Sequence, residues 1–146
     1  MTSHLESLKP KAHERIRQLK YCFRKMLEAS RNRIVFFGGD LNLHDNELRQ
    51  AGDIPTGIYD VWIETGQNLR YAYTWDMKWN TNLSFESSNP PRFRFDRLYF
   101  RPARSTMFNL SPASFKLKGQ QMIPSIQRFC SDHWAIQAKF KISPSS

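Results

Sequence analysis

Long apolar runs are missing from this sequence. None approaches the ~18 residues that crossing a bilayer requires, so no membrane-spanning helix is expected. Met1-Thr2-Ser3-His4 also lacks the charged-then-apolar pattern of a signal peptide. Cysteine is scarce: Cys22 and Cys130 are distant and show no metal-ligand spacing. They read as reduced thiols of an intracellular protein. Acidic residues are short too, 13 Asp and Glu against 22 Lys and Arg, which leaves a net charge of +9. That balance favours a polyanionic partner such as nucleic acid, although a solubilising surface has the same composition. There is no internal repeat and no low-complexity tract.

What remains is the make-up of one packed domain: 146 residues, 40% hydrophobic and 14% aromatic. From Glu6 to Ser30, Leu8, Ala12, Ile16, Leu19, Phe23 and Met26 or Leu27 recur at three- and four-residue steps, predicting a helix with Pro10 in its first turn. Ile34 to Leu43 is an apolar β-run ending in Gly38-Gly39-Asp40-Leu41-Asn42. His44 to Leu48 reads as a short helix closed by Gly52. Ile58 to Thr65 reads as a short buried helix, with a strand as the alternative. Tyr71–Asp76 and Arg92–Arg101 alternate like strands, around a polar loop from Asn80 to Pro91. Arg101 to Arg128 reads as loop, and Ser131 to Ile142 as a last strand. The interleaving predicts an α/β fold.

Chemistry-bearing residues gather at strand ends. Period-two geometry puts Asp40 and Asn42 on one side of an extended backbone; the bland alternative is an Asx turn closing a buried strand. The two glycines allow a tight turn or close approach to a ligand. Asp76 ends another strand, and Asp132-His133 precede the last. Asp96, inside an aromatic strand, needs a partner: Arg97, another arginine, or His133, whose tautomer a carboxylate would fix. Phosphodiester hydrolysis needs a hard cation, an oriented water and help for the leaving oxygen. Asp40 is the candidate for holding the water, uncharged Asn42 for donating to phosphate, Asp132 for a cation, and His133 for the phosphoryl oxygen. His4, a lone histidine in a polar stretch, reads on its own as a surface residue.

Gly39-Asp40-Leu41-Asn42, Phe95-Asp96-Arg97 and Ser131-Asp132-His133-Trp134 resemble, in order, the last three motifs of the endonuclease/exonuclease/phosphatase superfamily. Thr2-Ser3-His4-Leu5-Glu6-Ser7, Asp60-Val61-Trp62, Tyr73-Thr74-Trp75-Asp76 and Arg94-Phe95-Asp96-Arg97 resemble its 5′-tyrosyl-DNA phosphodiesterases. The resemblance implies the C-terminal half of a four-layer α/β sandwich, residues 1–146 being one part of a single catalytic domain. It implies Mg²⁺ or Mn²⁺, DNA with topoisomerase-derived 5′-phosphotyrosyl ends as partner, a topoisomerase peptide beside it, and a place in nuclear DNA repair, with the cytoplasm as second compartment. By motif, Asp40, Asn42, Asp96, Asp132, His133 and His4 would be catalytic, and Asp132 would serve the metal. His44, Trp75, Leu83, Phe95 and Arg94 would bind substrate, the apolar ones walling the terminal nucleotides.

Two departures accompany the resemblance. His44 stands where the family has an arginine, which predicts weaker or more pH-dependent phosphate binding. The family's first half, with an Asn and a metal-binding Glu, has no counterpart here. The 146-residue chain alone is therefore expected to be weakly active or inactive and poorly folded. The competing readings are a related endonuclease or an inositol or lipid phosphatase, and a non-catalytic DNA- or protein-binding remnant.

Overall fold

The computed structural model describes residues 1–104 and 107–144. Its first helix, α1 (Ala12–Glu28), starts later than the periodicity predicts, after a 3-10 turn over Lys9–Lys11 that contains Pro10. Leu8, expected on the apolar stripe, has φ 68° and is exposed. The stripe that faces the core is Arg15, Leu19, Cys22, Phe23 and Met26. Arg15 is tolerated there because Glu47 supplies a buried countercharge, with Nε and Nη2 each bonded to one carboxylate oxygen. No helix among the described residues is long and apolar enough to cross a membrane.

The helix packs on a three-stranded sheet of order β1 (Val35–Asp40), β5 (Asp96–Arg101), β2 (Tyr59–Asp60), all antiparallel. Phe23, Phe37 and Tyr99 form the ring contacts of that layer. Arg101, buried at the end of β5, donates to the carbonyls of Met26, Ala29 and Ser30 and so terminates α1. The N-terminal residues run parallel to β1 as an added edge, with Ser3 N–H on Gly38 O and Leu5 N–H on Asp40 O. The double glycine answers two close approaches: a Cβ on Gly38 would meet the Arg97 carbonyl of β5 at 2.7 Å. A Cβ on Gly39, at φ 138°, would collide with the Ser3 carbonyl, so the second approach is made by the chain's own N-terminal segment.

Other predicted boundaries change too, and the last strand begins at Ala135 rather than Ser131. Ile58–Thr65 splits into β2 and the single turn α3 (Val61–Glu64), started by the Asp60 side chain accepting from Trp62 N. In the Tyr71–Asp76 run only β3 (Trp75–Asp76) is a strand, because Leu69–Tyr71 is a 3-10 turn capped by Asn68. The Arg92–Arg101 strand breaks in two: β4 (Arg92–Phe93) pairs with β3, whereas β5 pairs with β1 and β2. The expected loop over 101–128 contains β6 (Phe108–Lys118), which pairs with β7 (Ala135–Pro144) in a long hairpin bulged at Pro112/Ser114. Val61, Phe100, Phe115, Leu117 and Trp134 bury a second core beneath that hairpin. α2 (Asp45–Gln50) follows the prediction. The sheet-plus-helix layer with a packed hairpin is an α/β arrangement.

Candidate active site

The C-terminal end of β1 and the start of β5 meet directly, Asp40 opposite Asp96 in the register. His133 arrives from the turn before β7, where Trp134 N donates to Thr74 O and residue 133 bridges Trp75. Its Nδ1 lies 2.7 Å from Asp96 Oδ2, so of the partners open to Asp96 the structure selects His133. Nε2 then faces Asp40 Oδ2 at 3.8 Å, and His4 Nε2 approaches the same oxygen at 3.3 Å. Burial opposes a charge on His133. The hydrogen bond to Asp96 and the negative charges of Asp96, Asp40 and Asp132 nonetheless hold its pKa above the ordinary imidazole value.

Asn42 lies beside this corner, but not through extended geometry. Its φ is 48° and its N–H donates to Asp40 Oδ1, which closes the Asx turn, while its side-chain amide donates to Leu5 O. Both Asp40 and Asn42 are thereby tied to the segment that carries His4. Asp132 takes no part in the close group and acts on it through charge. Among the described residues, the three side chains able to hold a cation together are Asp40, Asp96 and His133, with ligand atoms within 4.8 Å of one another. Nδ1 of His133 is engaged with Asp96, which leaves His133 Nε2 and carboxylate oxygens as the donors. A hard cation that keeps waters and takes one or two carboxylates fits such a set.

A cavity of about 760 Å³ adjoins the corner, bounded by Lys9, Asn42, His44, Trp75, Phe93 and Phe95. Its wall is a ring stack: Phe93 lies nearly parallel to Phe95 (centroids 4.9 Å, 21°) and to Trp75 (6.0 Å, 14°). His44 stands edge-on to Phe93 and Phe95. Its backbone N–H is held by Glu47, which Arg15 in turn holds. Leu83 and Phe85 are exposed in the loop beside the wall, and Phe85 meets Trp75 edge-on.

Two residues sit elsewhere than the sequence suggests. Arg94 points away from the corner into an ion pair with buried Asp60, at 2.7 Å, and over the Trp62 ring. Asp76 forms a two-pronged bond with Arg92 and belongs to the β3–β4 pair. Phe93, central to the wall, belongs to no motif, although it shares the Phe95 side of the Arg92–Arg101 alternation. Arg15 and Glu47 carry no motif either; their signal in the sequence is a cation on an apolar helical stripe, which demands a buried partner.

No protein-family model matches the chain. It is 42% identical over 142 residues to tyrosyl-DNA phosphodiesterase 2 of Gallus gallus, covering 97% of this chain and 37% of that protein. It is 40% identical over 142 residues to tyrosyl-DNA phosphodiesterase 2 of Homo sapiens, covering 97% of this chain and 38% of that protein. Among solved structures it is similar to the Danio rerio protein complexed with single-strand DNA product, with TM-score 0.90, 39% identity, and 97% and 55% of the two chains covered. It is also similar to the Caenorhabditis elegans protein, with TM-score 0.82, 36% identity, and 95% and 40% covered. The chain thus spans well under two thirds of each of these relatives.

Proposed function

We propose, from a chain that shares sequence and fold with part of tyrosyl-DNA phosphodiesterase 2, that it carries the water-, proton- and nucleotide-handling part of a metal-dependent 5′-tyrosyl-DNA phosphodiesterase in DNA repair. The observation that carries this reading is the Asp96–His133 pair at 2.7 Å facing Asp40, beside Asn42, which lines an aromatic-walled cavity.

The net reaction is hydrolysis of the bond between phosphorus and the tyrosyl oxygen, leaving a DNA 5′-phosphate and free tyrosine. Asp40 Oδ2, flanked by two imidazoles, orients the attacking water and accepts its proton. Asp96 holds the Nδ1–H of His133, so Nε2 is the nitrogen turned to the phosphoryl oxygens. With its pKa raised, His133 presents Nε2–H as a charged donor to the negative charge that builds there. His4, whose Nε2 lies 3.3 Å from the same Asp40 oxygen, is a second donor. The second hydrogen of the Asn42 amide is available to a phosphate oxygen without adding charge. When bound, Mg²⁺ or Mn²⁺ would supply further neutralisation of that charge, with Asp40 and Asp96 as this chain's carboxylates for it.

Trp75, Phe93 and Phe95 offer ring faces and edges to terminal bases of any sequence, and the surplus of basic residues suits the phosphate backbone. The single-strand DNA product held by the Danio rerio relative supports this side of the reading. The compartment that goes with such a substrate is the nucleus, and the tyrosine carries the topoisomerase peptide.

The test is tyrosine release from a 5′-phosphotyrosyl oligonucleotide by the purified chain, with and without Mg²⁺ or Mn²⁺. Release is expected to be weak, to need the cation, and to be lost in Asp40→Asn. Faster hydrolysis of abasic DNA or a phosphoinositide would replace the reading with a related nuclease or phosphatase. Salt-dependent DNA binding without any metal-dependent turnover would replace it with a binding role.

A further inference from the structure

Thr74 touches no part of the cavity, yet both of its oxygens are engaged by segments that carry the corner. The residue is fully buried. Its Oγ1 accepts the backbone N–H of Asp96 at 2.9 Å, across 22 residues of sequence. Its carbonyl accepts the N–H of Trp134 at 2.7 Å, immediately after His133, and the next residue, Trp75, bridges His133 itself. One side chain and one carbonyl of a single residue thus set two backbones whose side chains must meet at 2.7 Å. We infer that Thr74 is a positioning residue that sets the Asp96–His133 hydrogen bond, and through it which ring nitrogen of His133 carries the proton.

This rests on the phosphodiesterase reading for its consequence in catalysis, but not for its geometry. The plain alternative is that Thr74 fills core volume and satisfies one backbone donor for stability alone. The two differ in what the hydroxyl does. Valine copies the shape of threonine and cannot accept the Asp96 N–H, so it removes the constraint while the volume stays. Serine keeps the oxygen and drops only a methyl group.

The experiment compares wild type, Thr74→Val and Thr74→Ser by ¹⁵N NMR of the His133 ring at a pH where the imidazole is neutral, with kcat and KM on a 5′-phosphotyrosyl oligonucleotide alongside. In the wild type the proton is expected on Nδ1. Thr74→Val is expected to shift population toward the Nε2–H form and, by loosening the Asp96 contact that orients the ring and supports its charged form, to lower kcat by about 10- to 100-fold with KM within about twofold. Thr74→Ser is expected to keep the wild-type tautomer and rate. If Thr74→Val does not fold, Thr74→Ala removes the same oxygen and takes its place. A wild-type tautomer in the variant lacking the oxygen overturns the inference, as does a Thr74→Ser protein as impaired as it. Should the wild type show no turnover, the functional reading fails, while the ring-nitrogen shifts still decide the role of Thr74.

Discussion

The polar corner and the aromatic wall are neighbours but are held by different forces. In the corner, Asp40 is fixed by the Asn42 N–H, Asp96 is bonded to His133, and the Asp96 backbone is held by Thr74. These are directional bonds from separate parts of the chain, and each places an atom within a few tenths of an ångström. The wall is held by ring contacts among Trp75, Phe93, Phe95 and His44, with Phe85 edge-on to Trp75. Ring packing fixes a surface rather than an atom. Proton handling requires the first kind of support, whereas stacking on a base needs area and tolerates sliding. Damage to the corner should therefore appear in kcat, and damage to the wall in affinity.

The largest effect is expected from the corner. His133→Ala should lower kcat by roughly 10² to 10⁴, with KM nearly unchanged, because it removes a donor acting on the developing charge. Steady-state kinetics on a 5′-phosphotyrosyl oligonucleotide reads this, and a loss confined to KM would erase the distinction between the two regions. Next in size is Phe93→Ala, which takes the middle ring from the stack. Affinity for a single-stranded 5′-phosphorylated oligonucleotide should fall by about 1–3 kcal/mol with kcat preserved. Fluorescence anisotropy measures the first quantity, and a matching collapse of kcat would show that the wall also positions the reacting atoms.

The wall and the corner also differed in how far the sequence announced them. Gly38 to Asn42, Asp96 and Ser131 to Trp134 carry local signatures, and their approach follows from β1 pairing with β5. The wall was half visible: alternation set Phe93 and Phe95 on one side, but nothing local told that the chain leaves one sheet for another between them. Arg15 and Glu47, separated by 32 residues, meet only in three dimensions. The β6 strand was hidden because Pro112, Ser111 and Ser114 look like loop chemistry; pairing with β7, a partner distant in sequence, imposes the extended form and absorbs the irregularity as a bulge. Tyr71 to Asp76 failed the opposite way: good strand residues were diverted by the polar cap at Asn68.

A smaller effect should come from pH acting on the corner alone. The folded pKa of His133 is raised, so the Asp96–His133 interaction contributes stability in full below the unfolded value near 6.5 and loses it as pH rises through the folded pKa. Urea unfolding at a series of pH values beginning near 6.5 and rising should show that decline in the wild type. Asp96→Asn should flatten it, while Phe93→Ala should leave it intact. A slope unchanged by Asp96→Asn would mean that the pair does not hold the proton.

The smallest effect tests the border between the two regions, at His44. Its ring leans edge-on against Phe93 and Phe95, as part of the wall, while its backbone is clamped by Glu47 beside Asn42, next to the corner. A neutral imidazole releases no counterion when it meets a phosphate, whereas a guanidinium carries its charge at every pH used. His44→Arg should therefore steepen the dependence of log affinity on log salt for single-stranded DNA by about 0.7, one phosphate's worth. Salt titrations of wild type and variant measure the difference. Indistinguishable curves would place His44 wholly in the wall, as a ring that packs and does not bind phosphate.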